Sequence, residues 1–190
     1  PTDSLRNELS GAIRYRGTFS NIGVAASFGA MRADAQEVAS TATQLQDVTA
    51  YHLGLNLSGF GFTVGGEYNW GKYSGGSTGR AALAQGLGNS NNWAVGVTYT
   101  MGALSLGAFY GEGTRDAFGA NPDREQKVWG IGLAYNLAPG WDVVANYSQQ
   151  EDSNIYTSPS NPTTLAPAGS GYGQRNRDAD IFIVGTRIAF

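Results

Sequence analysis

The sequence predicts an all-β fold: an antiparallel, up-and-down sheet whose strands cross a membrane and close into a barrel. Three observations carry that expectation. Segments of about ten residues, the length a tilted strand needs to cross a bilayer, alternate apolar and polar side chains with period two. Tight turns alternate along the chain with long polar loops. Trp, Tyr and Phe gather towards the segment ends, where two aromatic girdles would meet the lipid headgroups.

Nine such segments lie near 7–19, 22–32, 49–59, 62–73, 92–101, 104–112, 126–137, 141–151 and 178–190. In the first, Leu9, Ile13, Tyr15 and Phe19 share a face against Ser10, Arg14, Arg16 and Thr18. The second sets Ile22, Val24, Ala26 and Phe28 against Gly23, Ala25, Ser27 and Gly29. The third and fourth set Tyr51, Leu53, Leu55, Leu57, Phe62, Val64, Tyr68 and Trp70 against His52, Gly54, Asn56, Ser58, Thr63, Gly65, Glu67 and Asn69. The fifth opposes Trp93, Val95, Val97 and Tyr99 to Asn92, Gly96, Thr98 and Thr100; the sixth keeps the rule except at Phe109. Trp129, Ile131, Leu133, Tyr135 and Leu137 oppose Gly130, Gly132, Ala134 and Asn136, and Trp141, Val143, Ala145 and Tyr147 oppose Asp142, Asn146, Ser148 and Gln150. The last segment alternates Phe182, Val184, Thr186, Ile188 and Phe190.

The tight turns fall at 19–22, 58–61, 100–103 and 138–141, and the long connections near 33–48, 74–91, 113–125 and 152–177, rich in Gly, Ser, Asn and Pro. Loop 33–48 has the composition for a short helix, and loop 152–177 reads as an extracellular loop rather than a linker. A soluble sandwich also alternates, but end-placed aromatics and the short–long rhythm favour a membrane barrel.

Composition agrees. The chain has 190 residues, a net charge of −3, no cysteine and 28 glycines, the last about twice the usual share. The mild charge indicates neither nucleic-acid binding nor a polybasic membrane patch. The missing cysteines fit an oxidising compartment. No apolar run of about 18 residues exists, so no transmembrane helix is expected. The mean hydropathy of −0.26 does not exclude the membrane, because a barrel shows lipid only alternate residues.

The terminal strand, with Phe182, Val184, Ile188 and Phe190, resembles the ending of Gram-negative outer-membrane barrels, which the barrel-assembly machinery reads. Ile13-Arg14-Tyr15, followed by Phe19 and Ile22-Gly23, with Leu5-Arg6-Asn7 before it, resembles the mid-barrel hairpin of the Gram-negative general porins. Gly17-Thr18, where many porins carry Ser-Pro, is a departure. The resemblance implies an integral protein of the bacterial outer membrane, surrounded by its lipids, assembled as a homotrimer, and passing small hydrophilic solutes and ions by passive diffusion. Barrels of this kind have even strand numbers, about 16 in this family. Residues 1–190 are then expected to be the C-terminal part of a single β-barrel domain, with about seven strands and the constriction loop preceding Pro1.

The side chains that carry chemistry are sparse in this chain. His52 is the only histidine, and no carboxylate on its own segment orients it, so nucleophilic or acid–base catalysis has little to stand on. Zinc lacks its ligands. Asp178 and Asp180, or Asp116, Asp123 and Glu125, could approach calcium, but without an EF-hand spacing they read as solvated acidic loops. Gly75-Gly76 and Gly169-Ser170-Gly171 open no helix and cradle no phosphate. No catalytic residue, metal or cofactor is expected. By parity Arg14, Arg16, His52, Glu67, Asn69, Asn146 and Arg187 line the lumen; the arginines either bias ion passage or brace the wall against carboxylates such as Glu67. Two rival readings are a receptor or structural barrel that binds partners through its loops, and a barrel enzyme centred on His52.

Overall fold

The computed structural model describes residues 5–35, 47–73, 89–116, 123–158, 161–165 and 173–188. They form one antiparallel sheet of β1 (Leu5–Phe19), β2 (Ile22–Ala35), β3 (Val48–Gly59), β4 (Phe62–Lys72), β5 (Ser90–Met101), β6 (Leu104–Arg115), β7 (Arg124–Ala138), β8 (Trp141–Ser158), β9 (Asn161–Leu165) and β10 (Gly173–Ile188). Strands pair in chain order from β1 to β8 and then with β10, an up-and-down meander with β1 and β10 as its edges. Each of the nine expected strands is present. The short β9, which folds back on β8 within loop 152–177, was not anticipated.

The four tight connections are two-residue turns at 20–21, 60–61, 102–103 and 139–140. Phe60 and Gly61 both take positive φ, 54° and 81°, the backbone that matches the right-handed twist of the strands on either side. The short helix expected near 33–48 lies outside the described residues.

The sheet is a single layer with almost no interior. Among the described residues the only buried hydrophobic side chains are Ala33, Val48 and Ile155. The apolar residues lie on one face, open to the surroundings: Ile13 is 75% exposed, Leu53 51%, Val64 50% and Ile131 56%. Water would not tolerate a continuous apolar face of this size on a folded monomer, whereas lipid solvates it at no cost. Aromatic pairs border this face. Towards the long loops they run from Tyr51 stacked on Trp70 (5.4 Å), through Trp93 and Tyr110 (5.5 Å), to Trp129 and Tyr147 (5.5 Å). Towards the short turns lie Phe62 against Tyr99 (4.4 Å), then Tyr135 and Trp141.

The register explains how such a girdle stays level. Trp70 faces Tyr51, Trp93 faces Tyr68 two residues lower on β4, and Trp129 faces Tyr110 where Val95 is the neighbour on β5. The belt therefore descends through the ladder as the strands succeed one another, as tilted strands require of a ring parallel to the membrane. From Phe62 to Trp70 the apolar stretch covers nine residues, about 26 Å along the strand.

Candidate functional site

Side chains opposite the apolar face are mostly small or polar, with Phe109, Val128, Val144, Ile181 and Ile183 as the bulky exceptions, and the register brings them into rows across the strands. One row runs Arg14, Ser27, Gly54, Glu67, Ala94, Gly111; the next runs Arg16, Ala25, Asn56, Gly65, Gly96, Phe109, Gly130, Ser148, Ile181. These rows floor an open trough of about 800 Å³ whose lining includes Arg14, Arg16, His52, Asn56 and Glu67. This is the hollow face of the sheet.

The glycines have a local reason. A Cβ on Gly65 would come within 3.1 Å of Asn56 Nδ2, and one on Gly54 within 2.8 Å of Ser27 Oγ. On Gly130 it would strike the Phe109 ring at 2.6 Å, and on Gly132 it would collide with Asn146 Oδ1. Larger inward side chains thus lie flat over glycine neighbours and do not project into the trough. Phe109, the residue out of pattern in the sequence, faces inward and is accommodated in this way.

His52 stands in a polar chain across four strands and the residue after β4. Its Nε2 lies 3.1 Å from Ser27 Oγ and its Nδ1 2.7 Å from Asn69 Oδ1. Asn69 Nδ2 donates to Asn92 Oδ1 (2.8 Å), and Asn92 Nδ2 donates to Tyr73 Oη (2.9 Å). Because the Asn69 amide nitrogen is turned to Asn92, its oxygen faces His52, so Nδ1 carries a hydrogen and donates to it, while Nε2 pairs with the Ser27 hydroxyl. Burial first, and then the field of Tyr68, push the Tyr73 phenol up, keeping it a neutral end to the chain. Among the described residues no carboxylate reaches the imidazole.

The other expected residues separate into two kinds. Arg187 donates from Nε (3.0 Å) and Nη2 to Asp142 Oδ2, while Asn136 Nδ2 donates to Asp142 Oδ1 (2.8 Å), a cross-strand clamp beside the 139–140 turn. Arg187 therefore braces the wall. Arg14, Arg16 and Glu67 make no ion pair among the described residues. The pairing of Glu67 with the arginines that the sequence left open is absent there: Ser27 and Gly54 separate Arg14 from Glu67 in the row, about 14 Å at the backbone. Asn146 lies on the hollow face over Gly132.

Of the residues expected to signal assembly, Phe182, Val184 and Ile188 point outward and are well exposed; Phe190 lies outside the described residues. Asp180 is also outward and accepts the Tyr147 hydroxyl at 2.7 Å. No group of three His, Cys, Asp or Glu side chains among the described residues could hold a metal ion.

The sequence reading overlooked a second set of inward charges at the long-loop end. Arg115 on β6 faces Arg124 on β7 directly in register. Arg124 donates through Nε (2.8 Å) and Nη2 to the two oxygens of Asp152, and Arg177 Nη2 lies 3.6 Å from Asp152 Oδ2. Asp152 is only 4% exposed. Arg115, Arg124 and Asp152 fell in or beside stretches read as loops; the one available signal was the recurrence of Arg within them.

A one-layer sheet that is apolar outside, polar and glycine-lined inside, and banded by aromatics is the wall of an integral β-barrel of the bacterial outer membrane. Residues 2–155 match the Gram-negative porin family, and the chain belongs to it. Its fold is similar to that of OmpT, in a loop L8 deletion mutant, an outer membrane protein of Vibrio cholerae (TM-score 0.54, 16% identity, covering 95% of this chain and 53% of that one). It is similar also to the outer membrane protein OpdK of Pseudomonas aeruginosa (TM-score 0.59, 13% identity, 96% and 51%). The chain thus spans about half the length of these two structures. No curated protein matches it.

Proposed function

We propose that this wall encloses a water-filled pore through which small hydrophilic solutes and ions pass passively, without a chemical step or a cofactor. The observation that carries the reading is the hollow face: mostly small side chains, glycines where larger ones would project, and Arg14, Arg16 and Glu67 without ion pairs among the described residues beside the open trough. An unpaired charge on a wetted wall acts on whatever passes, since its field is not cancelled by a neighbour. Arg14 and Arg16, two residues apart on β1, favour anions on their side; Glu67, two strands beyond Ser27, draws cations to its own. His52, Asn69 and Asn146 supply polar surface, and Arg187, tied to Asp142, contributes little field. Assembly through the outward face of β10 and association as a homotrimer belong to the same proposal.

Planar-bilayer conductance of the detergent-extracted protein tests it. Steady ohmic steps support the pore, and stepwise closure in threes at high voltage supports the trimer. Silence from folded, lipid-inserted protein refutes it and leaves the partner-binding barrel as the better reading.

A further inference from the structure

On the hollow face Arg124 and Arg177 hold one buried carboxylate, Asp152, and a third guanidinium, Arg115, stands opposite Arg124 in register. Arg124 spends its fork on Asp152 through two hydrogen bonds. Arg177 touches the same carboxylate from 3.6 Å with its side chain 72% exposed, so most of its donors face the surroundings. Arg115, set opposite Arg124, makes no ion pair among the described residues. Like charges placed directly opposite on a sheet are destabilising. Of the described acids of this rim, Glu125, Glu151 and Asp178 alternate onto the outer face, and Asp116 accepts from the Asn89 backbone N–H at 2.7 Å.

The height of the cluster matters. Arg115 lies five residues beyond Tyr110, and Arg124 five before Trp129, which together mark the aromatic belt. Five residues of a strand tilted by about 40° rise about 13 Å, so the arginines stand above the hydrocarbon in water. They are free to take a ligand there without crossing lipid. Guanidiniums recognise planar carboxylates and phosphates through paired N–H donors, and chloride offers no such match.

We propose that Arg115, Arg124 and Arg177 form a binding site for small oxyanions, carboxylates or phosphates, on the inner wall at the long-loop mouth. Asp152 positions Arg124 and keeps the third charge from repelling the other two. The site rests on the pore reading for its purpose, since it would concentrate anionic solutes at the entrance, but its binding can be measured without conduction.

The full protein, folded in detergent, is dialysed to equilibrium against labelled succinate or inorganic phosphate, and the same solutes are titrated into potassium chloride during bilayer recording. Wild-type protein is expected to bind at least one of them saturably and to show a matching saturable fall in chloride current. Arg115→Gln with Arg177→Gln should weaken binding about tenfold, whereas Lys127→Gln, a cation on the outer face of the same rim, should leave it unchanged. Succinate alone would mark a carboxylate site and phosphate alone a phosphate site; either supports the proposal. Binding without conduction would keep the site and overturn the pore. Absence of saturable binding in conducting wild-type protein, or equal binding by the Arg115/Arg177 variant, overturns the site. The wild-type titration decides by itself if that variant does not fold.

Discussion

The assignment of faces makes a strong prediction at Leu55 and Asn56, adjacent on β3 and pointing to opposite sides. Leu55 is 50% exposed on the apolar face; Asn56 lines the trough. Leu55 lies five residues before the Phe60 turn, about 17 Å along the strand and about 13 Å in height at a tilt of about 40°. That is half of an apolar band about 25 Å tall, so Leu55 sits at the midplane. An arginine on the lipid face costs about 2–4 kcal/mol at that depth and about 0–1 near the interface. Leu55→Arg should therefore lower the folding equilibrium in lipid vesicles by about 30- to 1000-fold. Phe62→Arg, next to the turn, should lose far less charge-transfer energy, and Asn56→Arg should cost little because water reaches it. Reversible denaturant unfolding in vesicles, followed by tryptophan fluorescence, gives the three values. If Leu55→Arg and Asn56→Arg cost the same, the two faces do not meet different solvents and the membrane assignment of this strand is wrong.

The remaining predictions concern the wall's inner side and its backbone. Arg14→Gln with Arg16→Gln should move the reversal potential in a salt gradient towards cations with little loss of conductance; no shift would mean that these charges do not face the permeating ions. His52→Ala should leave conductance intact and cost about 1 kcal/mol, because Ser27 and Asn69 each lose one hydrogen bond but can be re-solvated from the trough. Loss of the current itself would show that His52 does more than line the wall. At Gly71, φ is 145° and a Cβ would run into the Thr49 carbonyl, so Gly71→Ala should destabilise by about 1–3 kcal/mol. Gly102→Ala, at φ 59° in a turn with open space around it, should cost only about 1–2 kcal/mol, and unfolding midpoints compare the pair directly.

What could be read from the sequence followed from what each residue faces. Between the aromatic belts one side of every strand meets lipid and the other does not, so Leu53, Leu55 and Leu57 alternate with His52, Gly54 and Asn56 and the strand announces itself. Beyond the belts both faces are polar and the signal stops. That is why β8 runs on to Ser158 and β10 begins at Gly173, well into a stretch that read as loop, and why β9 was not expected. Parity also gave the inward direction of Arg187 and Asp142. Their union could not be read, because a cross-strand pair depends on register between residues 45 apart. The same holds for Arg124, at the start of β7, and Asp152, in the part of β8 beyond the legible alternation, separated by 28 residues.

The placement of paired and unpaired charges argues for how the wall is used. At the short-turn rim Asp142 is held by Arg187 and Asn136; at the long-loop rim Asp152 is held by Arg124 and Arg177. Both clamps join neighbouring strands where the lipid band ends and the sheet needs fastening. Between the rims the side chains of the His52 chain hydrogen-bond one another across β2 to β5, so this part of the wall is stiffened without an ion pair among the described residues. Arg14, Arg16 and Glu67 share that middle region and take no part in either arrangement. Among the described residues no ion pair is made by these three; a charge on a wall without a partner costs stability unless water solvates it, which favours the proposed wetted inner face. If the trough were filled by packed chain, each would need a buried counter-charge; as a channel wall, each is free to act on the solutes that pass.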